Sequence, residues 1–268
     1  AKALGGVAQA YVNDAFGCSH RMHASVTGIV KNLSPAVAGL QLERELRTLE
    51  RLFKNPEEPV VAILGGAKIS DKLRVIESLM SQVDRILIGG AMAYTFWKAL
   101  GHPVGDSMVE DDMLETARGL LERSDAGRCE IILPMDCVVA EKMEPDIEHR
   151  TVGIGEIPGG WMGLDIGPGS VAKFDESISD ARTIIWNGPM GVFEIEAFSH
   201  GTFGIAECVT TSAAQTIIGG GETDAAIHQA GLADKVSFIS TGGGAFLEFL
   251  EGKELPGVAA LKAACQNG

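Results

Sequence analysis

Six short β-rich runs are spaced along the chain, and most of them close in glycine. They are "PVVAILGG" (59–66), "DRILIGG" (84–90), "CEIILP" (129–134), "RTIIWNG" (182–188), "QTIIGGG" (215–221) and "VSFISTGGG" (236–244). Helical patterns fall between them. Ile69, Leu73, Ile76, Met80 and Val83 share one face after the first run, and "AMAYTFWKAL" follows the second. Met113, Leu114, Ala117, Leu120 and Leu121 precede the third. Strands alternating with helices require crossover connections, which make neighbouring strands parallel. The uninterrupted apolar character of "VVAIL" fits a strand covered on both faces. The pattern predicts an α/β fold: a doubly wound, Rossmann-like parallel sheet of about six strands with flanking helices, and ligands at the carboxyl ends of the strands.

Residues 35–54 break this rhythm. "PAVAGLQLERELRTLERLF" follows Ser34, so Ser34 and Pro35 read as an N-cap and first helical residue. Leu42, Leu46, Leu49 and Phe53 form an apolar stripe on an otherwise charged helix. Such a helix is either a connector between domains or a surface helix on its own domain. Ahead of it, "AYV" looks like a strand without a sheet. At 268 residues the chain has room for one large domain or two smaller ones. Its net charge of −14 argues against nucleic acid as a partner. Five cysteines without a C-x-x-C pair argue against a disulfide framework or zinc site and for a reducing cytoplasm. No apolar run approaches the ~20 residues that span a bilayer, so no membrane partner is expected.

The chemistry concentrates at the glycine-ended turns. In "GGAKISDK" (65–72), Lys68 and Lys72 are four apart and would share a face at the start of a helix. Cations there oppose the helix dipole, a conflict that a bound anion would resolve; two solvated lysines are the alternative. The glycine pairs and triplets at 89–90, 219–221 and 242–244 could each be a tight turn, but three in one sheet suggest a nucleotide crevice. Glu222 follows one of these triplets, where it should repel the anion that the glycines would cradle. Glu194, in "WNGPMGVFE", is either a ribose acceptor or an ordinary helix-start glutamate, and the latter is favoured. "SHRMH" sets Arg21 between His20 and His23, which suits a small anion patch better than a metal pair. "GPGSVA" (167–172) fits a dinucleotide fingerprint only by chance, because it contains Pro168 and lacks a well-placed acid. A nicotinamide-dependent oxidoreductase is therefore disfavoured. Met108, Met113 and Trp161 read as core filling.

Seven of these segments stand in one order: "YVNDAFGCSHRMHAS", "VAILGGAKISDK", "LIGGAMAYTF", "WMGLDIGP", "WNGPMGVFE", "IIGGGETDAA" and "STGGGAFLEFLEGKELPGVAAL". Together they closely resemble the phosphoglycerate kinase family from about residue 11 to residue 261. The resemblance implies a glycolytic transfer of a phosphoryl group between 1,3-bisphosphoglycerate and ADP. Its substrates are 3-phosphoglycerate and the Mg2+ complexes of ATP and ADP, its locale the cytoplasm, and its expected state a monomer. It implies that Gly66, Lys68 and Lys72 hold nucleotide phosphates, with Lys68 steadying the migrating group. Gly89, Gly90, Gly163 and Leu164 would line the adenine pocket, Asn187 would lie by the phosphates, and Glu194 would take the ribose. Gly220, Gly221, Glu222 and Thr223 would wrap the phosphates, Gly243 would offer its amide to the phosphoryl in flight, and Arg21 with His20 would bind the acid substrate. The resemblance answers the puzzle of Glu222 with a Mg2+ ion between carboxylate and phosphates. The family usually has Asp there. The implied organisation is a remnant of the 3-phosphoglycerate domain at 1–34, an interdomain helix at 35–55, a nucleotide domain at 56–255 and a return segment at 256–268. Most of the N-terminal domain is missing from that scheme, so the chain reads as a fragment that binds nucleotide with little turnover until its other half is supplied.

Overall fold

The computed structural model describes residues 1–266, and of residues 52–54 and 266 the backbone alone. In chain order the helices are α1 (Lys2–Gly5), α2 (Leu40–Lys54), α3 (Leu73–Leu79), α4 (Met92–Ala99), α5 (Leu114–Ala126), α6 (Pro168–Ile178), α7 (His200–Thr211), α8 (Gly221–Gln229), α9 (Gly243–Leu250) and α10 (Pro256–Gln266). The strands are β1 (Tyr11–Asn13), β2 (Ala36–Ala38), β3 (Val60–Leu64), β4 (Arg85–Ile88), β5 (Glu130–Ile132), β6 (Asp136–Ala140), β7 (His149–Gly153), β8 (Met162–Ile166), β9 (Thr183–Asn187), β10 (Gln215–Gly219) and β11 (Phe238–Ile239). The chain divides into two compact units, one of residues 1–56 with 240–268 and one of residues 57–239.

The second unit holds the predicted sheet. Its six strands run in the order β11-β10-β9-β3-β4-β5, and every neighbouring pair is parallel. The order reverses between β3 and β9, which is where a doubly wound sheet opens a crevice. β3 is buried along its whole length, as its unbroken apolar run required. One apolar core on this sheet joins Ile63, Trp186 and Ile218 to Phe174, Ile178, Ile205 and Val209 of α6 and α7. A three-stranded antiparallel sheet, β7-β6-β8, was not expected. Its β7, "HRTVG", lies largely exposed at the edge and so carries little apolar signal.

In the other unit the long helix starts later than predicted, at Leu40 rather than Pro35. Residues 36–38 instead pair in parallel with β1, so "AYV" does have a sheet, of two strands. Neither Ser34 nor Pro35 starts the helix. Asp14, far away in sequence, accepts hydrogen bonds from the amides of Gln41 (2.7 Å) and Leu42 (3.0 Å) and so caps the first turn. Leu42 and Leu49 are fully buried and Leu46 partly so, as the stripe predicted; the side chain of Phe53 lies outside the described residues. The expected boundary at residue 255 moves to 239. From Ser240 onward the chain packs with residues 1–56, where Thr241 donates to the buried carboxylate of Glu45 through both its amide and its hydroxyl (2.7 Å each).

Candidate functional site

The loops after β3, β4, β9 and β10 meet at the carboxyl ends of the parallel sheet, and the cleft they form has a volume of about 530 Å³. Gly66, Gly90, Gly163, Leu164, Glu194 and Glu222 of the expected site residues line it, beside Tyr94, Met108, Met190 and Val192. Backbone bonds knit the loops: Gly65 N to Asn187 O (2.9 Å), Gly89 N to Leu64 O (2.8 Å), Gly90 N to Met190 O (3.0 Å) and Met92 N to Gly66 O (3.1 Å). Gly90 has φ +68°, and a side chain there would collide with the backbone of Gly66. Gly89 is packed behind the wall, against the Met190 side chain.

Lys68 and Lys72 do not share a helix face. Residues 65–72 form a loop, and α3 begins only at Leu73 with Lys72 in the cap position. The loop is held open by Gly66 at φ +121°, by a turn from Lys72 N to Ile69 O (2.9 Å) and by Glu110, which accepts from both the amide and the hydroxyl of Ser70. Lys68 is exposed on it. Lys72 is drawn inward, and its ammonium donates to Oδ1 of Asn187. Asn187 is itself buried and donates through Nδ2 to Gly219 O (2.6 Å), so it links β9 to β10 beneath the lysine. Burial lowers the Lys72 ammonium from its ordinary 10.5 to about 8, against the upward pull of the Glu222 and Asp71 carboxylates.

α8 is capped by Gly220 at φ +98° and ψ +136°, a conformation that favours glycine. The first helical bond runs from Asp224 N to Gly220 O (2.9 Å), so the amides of Gly221, Glu222 and Thr223 are those that a helix leaves without internal partners. That first turn offers donors to an anion, and exposed Glu222 stands beside them. Thr223 is fully buried, and its hydroxyl accepts from Gly188 N (2.7 Å), so its side chain serves the neighbouring loop. Glu194 lies in a turn, not at a helix start, and is exposed along the cleft. Among the described residues no group of three or more His, Cys, Asp or Glu could hold a metal by itself. Glu222 does fit an ion shared with phosphate oxygens, since Mg2+ commonly takes one or two carboxylates and completes its shell from substrate and water.

Sequence reasoning missed the apolar wall. Met108, expected in the core, is 52% exposed and lines the cleft with Met143 and Met162. Thioether side chains adapt to a flat ring. Tyr94 stands against Gly163, where any side chain would collide with its ring. "GPGSVA" also has a structural account. Asp136 accepts from the amides of Gly169 (2.9 Å) and Ser170 (2.7 Å), so the chain's own carboxylate occupies the start of α6.

Arg21, His20 and Gly243 belong to the other compact unit. Arg21 is exposed on a turn closed by its amide on Cys18 O (3.0 Å). His20 packs its ring against Gly244, and its buried Nδ1 has no hydrogen-bond partner. Gly242 caps α9 ahead of Gly243 and packs on Phe16 and Gly17.

Comparison with known proteins accounts for this arrangement. The family model for phosphoglycerate kinase matches residues 1–253. The chain is 57% identical over 258 residues to a phosphoglycerate kinase of Rubrobacter xylanophilus, with 96% of the chain and 65% of the relative covered. It is 53% identical over 267 residues to that of Synechococcus elongatus, with 98% and 66% covered. A solved structure of phosphoglycerate kinase from Coxiella burnetii superposes with a TM-score of 0.91 at 40% identity, covering 98% of this chain and 67% of that one. One from Pyrococcus horikoshii gives 0.85 at 30% identity, covering 99% and 66%. The chain thus spans about two thirds of the length of the relatives it matches. The parallel sheet, its glycine-lined cleft and these matches over nearly the whole sequence place the chain in the phosphoglycerate kinase family.

Proposed function

We propose that this chain carries the nucleotide half of phosphoglycerate kinase chemistry: reversible phosphoryl transfer between 1,3-bisphosphoglycerate and Mg-ADP, giving 3-phosphoglycerate and ATP. The observation that carries the reading is the cleft at the switch point of the sheet. There an apolar wall of Tyr94, Leu164 and methionines adjoins Lys72, Asn187 and the opening amides of α8. The wall suits the adenine ring, with Gly163 letting Tyr94 pack close and Gly90 letting the loop after β4 close on Gly66. Glu194 is suited to accept from ribose hydroxyls. Lys72, Lys68, Asn187 and the turn from Gly220 to Thr223 would hold the phosphates.

Phosphoryl transfer asks for positioning and positive charge rather than covalent catalysis. Lys72 is only partly exposed and supplies charge where water screens it least. Mg2+ held between Glu222 and the phosphates would neutralise charge on the nucleotide. Arg21 and His20 are assigned to the carboxylate or phosphate of the acid substrate, and Gly243 to the transferring group. The five cysteines are unpaired, which agrees with a cytoplasmic protein. We take it to be a monomer that binds nucleotide with little turnover by itself.

Calorimetry with ADP, with and without Mg2+, tests the binding, and ATP formation from 1,3-bisphosphoglycerate tests the turnover. Mg-ADP should bind, and ATP formation should rise when the N-terminal portion of a relative is added. Absence of ADP binding to the folded chain would sink the proposal.

A further inference from the structure

We infer that Thr202 is a positioning residue of the nucleotide site, acting through the loop 188–194; this rests on the functional reading above. The loop leaves β9 as "GPMGVFE", and Pro189 to Val192 with Glu194 line the cleft. Such a turn has no strand ladder to receive its amides, and an unsatisfied buried donor costs about as much as a lost hydrogen bond. Two helices provide the acceptors. Thr223 of α8 takes the amide of Gly188 (2.7 Å). Thr202 of α7 takes two with one oxygen, the amides of Met190 (3.0 Å) and Gly191 (3.3 Å). It is fully buried and is not among the residues that line the cleft.

What holds Thr202 in register is its neighbour in the chain. Gly201 N donates to Oδ2 of Asp165 (2.6 Å), and Oδ1 of the same carboxylate takes the amide of Ile166 (2.9 Å). Asp165 is 1% exposed and lies directly against Gly191, leaving no room there for a side chain. The first turn of α7 is thereby fixed to β8, and the loop to that turn. Val192 N completes the attachment by donating to Leu164 O (2.9 Å). Thr202 therefore sets the position of Met190 and Gly191 in the cleft wall assigned to adenosine.

The test uses Thr202→Val, which keeps the shape and removes the acceptor, and Thr202→Ser, which keeps the oxygen. Thr202→Ala is read in place of the valine variant if that one fails to fold. Amide exchange at Met190 and Gly191 is followed by NMR without ligand, and Kd is measured for Mg-ADP, adenosine and pyrophosphate. In Thr202→Val we expect exchange at both amides to quicken about tenfold or more, and Kd for Mg-ADP and adenosine to rise together by about five- to thirtyfold. Pyrophosphate affinity should hold, and Thr202→Ser should return every value to within about threefold of the parent. Unchanged exchange, or an unchanged adenosine Kd beside normal binding by the parent, overturns the assignment alone. A parent chain that binds neither ADP nor adenosine overturns the functional reading and this assignment with it.

Discussion

Lys72 makes the proposed phosphate site sensitive to pH in a direction that can be worked out in advance. Burial lowers its ammonium from 10.5 to about 8, with Glu222 and Asp71 as the carboxylates that oppose the shift. Nucleotide phosphates beside it would favour the charged form and return it toward its ordinary value. The bound state then holds one proton more than the free state between pH 8 and 10.5, so ADP affinity falls as pH rises through that window. The limiting slope is about tenfold per pH unit; at pH 9 roughly a tenth of the free protein has Lys72 charged, and affinity should be about tenfold below its value near pH 7. Calorimetry at several pH values, in two buffers of different ionisation enthalpy, reads both the slope and the proton uptake. Lys72→Arg supplies the control, because a guanidinium stays charged throughout. Asp165, pushed up by burial to about 8, titrates in the same range but is present in both proteins, so the difference between them isolates Lys72. Superimposable profiles for the parent and Lys72→Arg would refute the argument.

Glu222→Gln should weaken ADP binding in the presence of Mg2+ and do less harm, or help, without it, while Glu222→Asp keeps the Mg2+ requirement. An ADP titration at several Mg2+ concentrations decides this, and equal Mg2+ dependence of parent and Glu222→Gln would exclude the carboxylate from the metal. Burial raises the Asp165 carboxyl from 3.8 to about 8 in the folded chain, so the stability it contributes is present at low pH and is lost as pH climbs from about 4 to about 8. Urea denaturation should show the parent losing stability over that window, on the order of a few kcal/mol, relative to Asp165→Asn; parallel curves would remove Asp165 as the cause. Glu45 is fully buried and accepts from Thr241 twice, so Glu45→Ala should lower stability by about 1–3 kcal/mol in the same assay, and a change within error would show these bonds contribute nothing net.

The α/β class, the six parallel strands and the glycine-ended turns were legible in the sequence because they depend on local chemistry. A run such as "VVAIL" has few ways to be buried other than as a central strand, and Gly90 and Gly220 mark backbone conformations that other residues adopt at a cost. Seven ordered motifs were enough to identify the family. The sequence could not show where α2 starts, since its cap comes from Asp14 through a bond across 27 positions. Nor could it show that Lys68 and Lys72 sit on a loop, which depends on Glu110 holding Ser70. Met108 read as core because an apolar side chain carries no mark of which surface it will face. Thr202 gave no signal, and Asp165 stood within the family motif "WMGLDIGP" without a role of its own, since a threonine and an aspartate are ordinary polar residues until folding buries them. Their roles arise only when α7, β8 and the loop after β9 come within hydrogen-bonding distance, because the direction and partners of a buried polar group are set by chain segments far away in sequence.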